Sequence, residues 1–109
     1  MKIAIPVDDN LGLNSKVSYH FGHARFLALY DTEKKSLEFH TVVEGEGCSP
    51  VMLAKTLGAN VIYCFGMGMK AMMLCKELGI SVKTGDFETI GEILENLENL
   101  KDLDKTCGH

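Results

Sequence analysis

The residues best suited to chemistry in this chain are soft metal donors. A histidine pair sits in Ser18-Tyr19-His20-Phe21-Gly22-His23, Cys48 stands just before Ser49-Pro50, and residues 107–109 read Cys107-Gly108-His109. Gly66-Met67-Gly68 lies between them, with two more thiols at Cys64 and Cys75. Imidazole nitrogen, thiolate and thioether all ligate soft or borderline transition metals and iron–sulfur species. Cys48 leads among the cysteines, because Ser49 followed by Pro50 reads as a helix start and a helix amino terminus stabilises a thiolate. The candidate metal ligands are therefore His20, His23, Cys48, Cys107 and His109. The candidate cofactor-binding set is His20, His23, Cys48, Gly66 and Gly68.

Plainer roles compete for the same residues. One histidine of the pair could simply cap a turn. Cys75 falls on the apolar side of its helix, and Cys64 alternates with Tyr63 and Phe65, so core packing is the first expectation for both. Met72 and Met73 suit adaptable packing, while Met67 and Met69, at a loop–helix junction, could line a pocket. A rival site overlaps this one: Gly66-x-Gly68-x-x-Ala71, with Asp86 after the next strand, fits a loose dinucleotide fingerprint. Enzyme readings find less support. A Cys48–histidine nucleophile pair has no evident orienting group. Asp8-Asp9 has no partner carboxylates at the later strand ends for two-metal chemistry. No Gly-x-x-x-x-Gly-Lys-[Ser/Thr] loop occurs. The expectation is a binding protein and not an enzyme.

The elements that must position these residues follow from periodicity. Lys2–Val7 reads as a buried strand, and residues 8–23 as a long polar connection. Arg25–Asp31 and Leu37–Val43 form a hairpin across a polar turn. A helix then runs from Ser49-Pro50 to Leu57-Gly58, a strand over Val61–Phe65, a helix over Met69–Leu78 and a strand over Ile80–Lys83. Thr89-x-x-Glu92 is a capping box opening a third helix, with Ile90, Ile93, Leu94, Leu97 and Leu100 at helical spacing. Lys55, Leu57, Gly58 and Val61 recur as Lys76, Leu78, Gly79 and Val82, marking two similar units. The order βββαβαβα predicts a five-stranded mixed sheet with an antiparallel amino-terminal hairpin, parallel crossovers and three helices. The carboxyl ends of the parallel strands, the long loop and three helix starts then share one edge, where open α/β sheets bind ligands.

Size and charge agree with this picture. At 109 residues the chain has room for one core, and 46% apolar content is ordinary for a globular domain. A net charge of −4, with scattered basic residues, argues against a nucleic-acid partner. No apolar run approaches the roughly 20 residues of a membrane span. The amino terminus is too short in apolar residues for a secretion signal, so a cytoplasmic protein with reduced thiols is expected. The four cysteines include no Cys-x-x-Cys pair.

Ser18-x-His20-Phe21-Gly22-His23-Ala24-x-Phe26 resembles the Ser-x-His-Phe-Gly segment of the dinitrogenase iron–molybdenum cofactor-binding family. Leu57-Gly58, Val61-Ile62, Gly66-x-Gly68, Leu78-Gly79-Ile80 and Val82 are similar to that family's second half. The resemblance implies one such domain over residues 1–100 and a ribonuclease H-like fold, and residues 101–109 are expected as a flexible tail. It also implies an iron–sulfur or iron–molybdenum-type cluster as ligand, a cluster-assembly protein as partner, and contact through His20. Gly47-Cys48-Ser49-Pro50, where many members have Gly-x-Gly, and the Cys-Gly-His tail depart from the pattern. The expected function is binding or carrying a metal–sulfur cluster. The alternative is a nucleotide- or small-molecule-binding regulatory domain using the Gly66-x-Gly68 loop.

Overall fold

A computed structural model describes residues 1–42 and 50–103. The strands are β1 (Lys2–Val7), β2 (Phe26–Asp31), β3 (Ser36–Thr41), β4 (Val61–Tyr63), β5 (Ser81–Thr84) and β6 (Lys101–Asp102). The helices are α1 (Pro50–Thr56), α2 (Met69–Leu78) and α3 (Ile90–Glu95). The sheet runs in the order β3-β2-β1-β4-β5-β6. β1 pairs antiparallel with β2 and parallel with β4, β2 pairs antiparallel with β3, and β4 pairs parallel with β5. None of the described helices is long and apolar enough to cross a membrane.

Strand alternation sorts the core onto two faces. Ile3, Ile5, Val7, Ala28, Val61 and Tyr63 turn to the face covered by α3 through Ile90 and Ile93. Ala4, Leu27, Leu29, Ile62 and Cys64 turn to the other face, beneath α1 and α2, with Val51, Ala54 and Cys75.

The two similar units end in the same way. Gly58 and Gly79 adopt φ of 85° and 74°, the left-handed conformation that glycine takes without a Cβ clash. Ala59 N–H donates to the Ala54 carbonyl and Ile80 N–H to the Cys75 carbonyl, each at 2.9 Å. Gly58 and Gly79 donate to the carbonyls of Lys55 and Lys76. These paired bonds make the Schellman stop. It turns each helix directly into a parallel strand.

Two expectations are corrected. Among the described residues the sheet has six strands and not five, because Lys101–Asp102, inside the stretch expected as a tail, pairs antiparallel with β5. The pairing is reinforced by an ion pair between Lys83 Nζ and Asp102 Oδ1, and by Leu103 N–H donating to the Val82 carbonyl at 3.0 Å. The third helix stops at Glu95, short of the Leu100 that its leucine spacing suggested. Asn96 leaves helical geometry at φ −129°, ψ 31°, and its side-chain amide donates to the Glu92 carbonyl at 2.8 Å. Asparagine's side chain competes with the helix backbone in this way. The leucine periodicity survives because Leu97–Asn99 continues as a 3-10 turn, and Leu94, Leu97 and Leu100 still pack on the α3 face.

Candidate functional site

The parallel strands β1, β4 and β5 deliver their carboxyl ends to one edge of the sheet. The long loop after β1 is held closely there. Its Val17 bridges Val7, Ser18 N–H donates to the Pro6 carbonyl at 2.8 Å, and Val17 N–H donates to the Glu88 carbonyl at 2.8 Å. Ser15, fully buried, accepts the Leu11 N–H through its hydroxyl at 2.8 Å. The loop is fixed by local and long-range hydrogen bonds within the chain, and it presents its histidines from a set position.

Phe21–His23 forms a 3-10 turn. Phe21 is buried in the core beneath α1 and α2, which leaves His20 and His23 exposed on either side of it. Their ring centroids lie 6.1 Å apart with planes at 82°. The Ser18 hydroxyl donates to the His20 carbonyl at 3.1 Å, and His23 N–H donates to the same carbonyl at 2.9 Å. His20 occupies the cap position of that turn, but its side chain makes no capping bond. Turn capping therefore does not account for its imidazole.

The loop before α2 has a matching plan. Met67 is fully buried in the same core, between Gly66 and the exposed Gly68. The expectation that Met67 lines a pocket is corrected: its sulfur accepts from the Cys75 thiol at 3.8 Å, inside the core. Met69, the first residue of α2, is 64% exposed. Tyr19, beside His20, stacks on Phe65, beside Gly66, with ring centroids 5.1 Å apart and planes at 25°. That contact ties the histidine loop to the Gly66-x-Gly68 turn. The Tyr19 hydroxyl also donates to Glu88 Oε1 at 3.0 Å, and this bond raises its pKa above the ordinary tyrosine value.

Of the helix amino termini expected at this edge, α3 is already satisfied. Thr89 Oγ1 accepts the Glu92 N–H at 3.2 Å, and Ile90 N–H donates to the Ser15 carbonyl at 3.2 Å. The α2 terminus has no side-chain cap, so its first N–H groups keep donor capacity toward the edge. Among the described residues, a Cβ built at Gly68 or at Gly22 meets nothing within 4 Å. No described neighbour forces either residue to be glycine.

Cys64 and Cys75 pack in the core, as strand alternation suggested for the first and its helix face for the second. Burial pushes the Cys75 thiol up to about 11. Cys48, Cys107 and His109 lie outside the described residues. Among the described residues, no three His, Cys, Asp or Glu side chains converge as a metal-holding group. The part of the expected ligand set that the structure describes is therefore the His20–His23 pair. Sequence reading missed Tyr19 and Phe65, although their places beside the histidine and glycine motifs were a usable signal.

The sequence model of the family described as "Dinitrogenase iron-molybdenum cofactor" matches residues 1–100. The chain belongs to that family. This family member is 31% identical to PH0822, whose crystal structure superposes with a TM-score of 0.82 over 96% of each chain. An uncharacterised protein of Methanocaldococcus jannaschii is 28% identical over 103 residues, 87% of this chain and 83% of that protein. The solution structure of a NifB-like Thermotoga protein, 24% identical, has the same fold, with a TM-score of 0.81 over 95% of this chain and 94% of that one. The matched span takes in the histidine loop, the Gly66-x-Gly68 turn and all three helices, so every described part of the candidate edge falls inside the family domain.

Proposed function

We propose that this protein binds or carries a metal–sulfur cluster, iron–sulfur or molybdenum-containing, at the carboxyl edge of its sheet. The observation that carries the reading is the Tyr19–Phe65 stack, which joins the exposed His20–His23 pair to the turn leading into the uncapped α2 terminus. Imidazole nitrogens supply metal ligands, while free N–H groups at a helix start donate to an anionic cluster's sulfides. Gly22 and Gly68 leave room for close approach of a bulky cargo. Cys48 is the further ligand in this proposal, Cys107 and His109 are auxiliary donors, and an assembly protein in the cytoplasm receives or supplies the cluster. The role is transport or storage and not catalysis. Membership in a cofactor family supports the same direction. A ribonuclease H-like fold belongs to this reading too, supported by three antiparallel strands followed by parallel crossovers.

Anaerobic reconstitution with iron and sulfide, and then with molybdate, tests the proposal by absorption and metal analysis. The wild type should retain a cluster through gel filtration, and His20→Ala combined with His23→Ala should lose most of it while keeping its fold. Equal retention in that variant and in Cys48→Ala would overturn the site. EDTA should leave the far-ultraviolet circular dichroism of the apo protein unchanged, because the two cores are filled by side chains alone.

A second reading has its own observation. β4, Gly66-x-Gly68, α2 and β5 form a parallel β–α–β unit with Asp86 just beyond β5. Phe65, Asp86, Phe87 and Lys101 line a cleft of about 380 Å³ beside it. Thermal stabilisation by a nucleotide without metal uptake would favour this regulatory role.

A further inference from the structure

Four of the chain's six methionines fall between residues 67 and 73. Met69, Met72, Met73 and Lys76 follow i, i+3, i+4, i+7 spacing, so they share one stripe of α2. The stripe borders a cleft of about 350 Å³, closed below by Val82 and Leu103 and including Cys75 in its lining. Met69 is 64% and Met73 58% exposed, so neither is accounted for by core packing. Cys75, in the lining, is only 1% exposed, and its thiol contacts the buried Met67 sulfur at 3.8 Å.

The donor set here differs from that of the sheet edge. Among the described residues no carboxylate or imidazole lines this cleft, so they offer hard cations such as magnesium or calcium no charged or imidazole ligand. Lys76 is the one charged side chain among the described lining residues, and its charge repels a divalent ion more strongly than a monovalent one. Neutral thioethers select soft, low-charge metals, for which Cu(I) is the biological representative. We propose that this cleft is a thioether site for a soft monovalent cation, Cu(I) by class, held by Met69, Met72 and Met73 above the Cys75 sulfur. The site does not depend on cluster binding at the sheet edge.

Methyl-labelled methionine gives a direct test, since six residues give a fully assignable spectrum. The apo protein is titrated anaerobically with Ag(I), a redox-inert probe, and separately with Cu(I) against a chromophoric chelator. The methyl signals of Met69, Met72 and Met73 should move by one equivalent, and those of Met1 and Met52 should not. Replacing the three together by leucine conserves volume and should weaken Cu(I) binding at least tenfold with the fold intact. Binding should survive both His20→Ala with His23→Ala and Cys48→Ser with Cys107→Ser. Unmoved signals at these three methyls would overturn the proposal. So would wild-type affinity in the leucine variant, or loss of binding in the Cys48 and Cys107 variant alone.

Discussion

On the α3 side of the sheet, Ile3, Ile5, Val7, Ile90 and Ile93 pack around Tyr63, and on the opposite side Cys64, Met67 and Cys75 sit among Ala4, Leu27, Ile62, Val51 and Ala54. The first face is branched aliphatic and aromatic, with its polar atoms committed. The Tyr63 hydroxyl donates to the Phe87 carbonyl at 2.9 Å and accepts the Phe87 N–H at 3.1 Å, and the α3 start is tied to the histidine loop through Ser15. The second face is rich in soft sulfur, its residues are smaller, and its helix α2 starts without a cap. The α3 face therefore fixes the frame and the loop after β1. The α1/α2 face holds the turn and the helix start from which a ligand can be approached. Under the proposed function, stability and ligand chemistry would be divided between the two sides of one sheet.

Substitutions should expose that division, and the largest effect belongs to the α3 face. Ile93 is fully buried, so Ile93→Ala should cost about 2–5 kcal/mol, measurable by urea denaturation. A loss below that range would mean the α3 face is looser than its burial implies. Tyr63→Phe comes next. It leaves the Phe87 N–H and carbonyl without their partner, and it should cost about 1–3 kcal/mol with little change in the far-ultraviolet spectrum.

Cys75→Ala, on the sulfur face, should cost only about 1 kcal/mol and leave cluster retention at the edge intact. Alkaline pH separates the same two residues. Burial raises Cys75 from 9.0 to about 11 and Tyr63 from 10.0 to about 12, so the folded state holds both protons more tightly than the unfolded chain. Each contribution is complete below the unfolded pKa and is lost as pH rises toward the folded one. Urea midpoints should thus begin to fall near pH 9 and fall more steeply beyond pH 10. Cys75→Ala should remove the earlier onset and Tyr63→Phe the later one. An unchanged profile in both variants would assign alkaline unfolding to other groups.

Much of this architecture is legible in local sequence signals. Leu57-Gly58 and Leu78-Gly79 announce helix stops, and Thr89-x-x-Glu92 announces the capped start that the structure contains. β6 is not legible, because Lys101-Asp102 has no apolar alternation and becomes a strand only through pairing with Lys83 and Thr84. The end of α3 misleads for the opposite reason, since leucines at helical spacing continue to face the core through a 3-10 turn. At the site, topology alone brings His20 and Gly66 to one edge. The Tyr19–Phe65 stack joins positions 46 residues apart, and only their places beside the histidine and glycine motifs point to it.

The smallest stability effect should fall at the edge, at Gly68, which can be compared with Gly79 at the far end of the same helix. Gly79 closes α2 at φ 74°, so Gly79→Ala forces a Cβ into the left-handed region and should cost about 1–2 kcal/mol. Gly68 opens the same helix at φ −67°, ψ 162°, a conformation any residue adopts, and an added Cβ there meets nothing. Gly68→Ala should therefore leave stability within about 0.5 kcal/mol of wild type, or raise it slightly by restricting the unfolded chain. If a cluster is carried against the start of α2, the added methyl occupies the space through which it approaches the N–H donors. Cluster retention should then fall while the urea midpoint stays put. Retention equal to wild type would separate Gly68 from the site and shift the ligand toward the histidine loop. A large loss of stability would contradict the open space that the structure shows beside it.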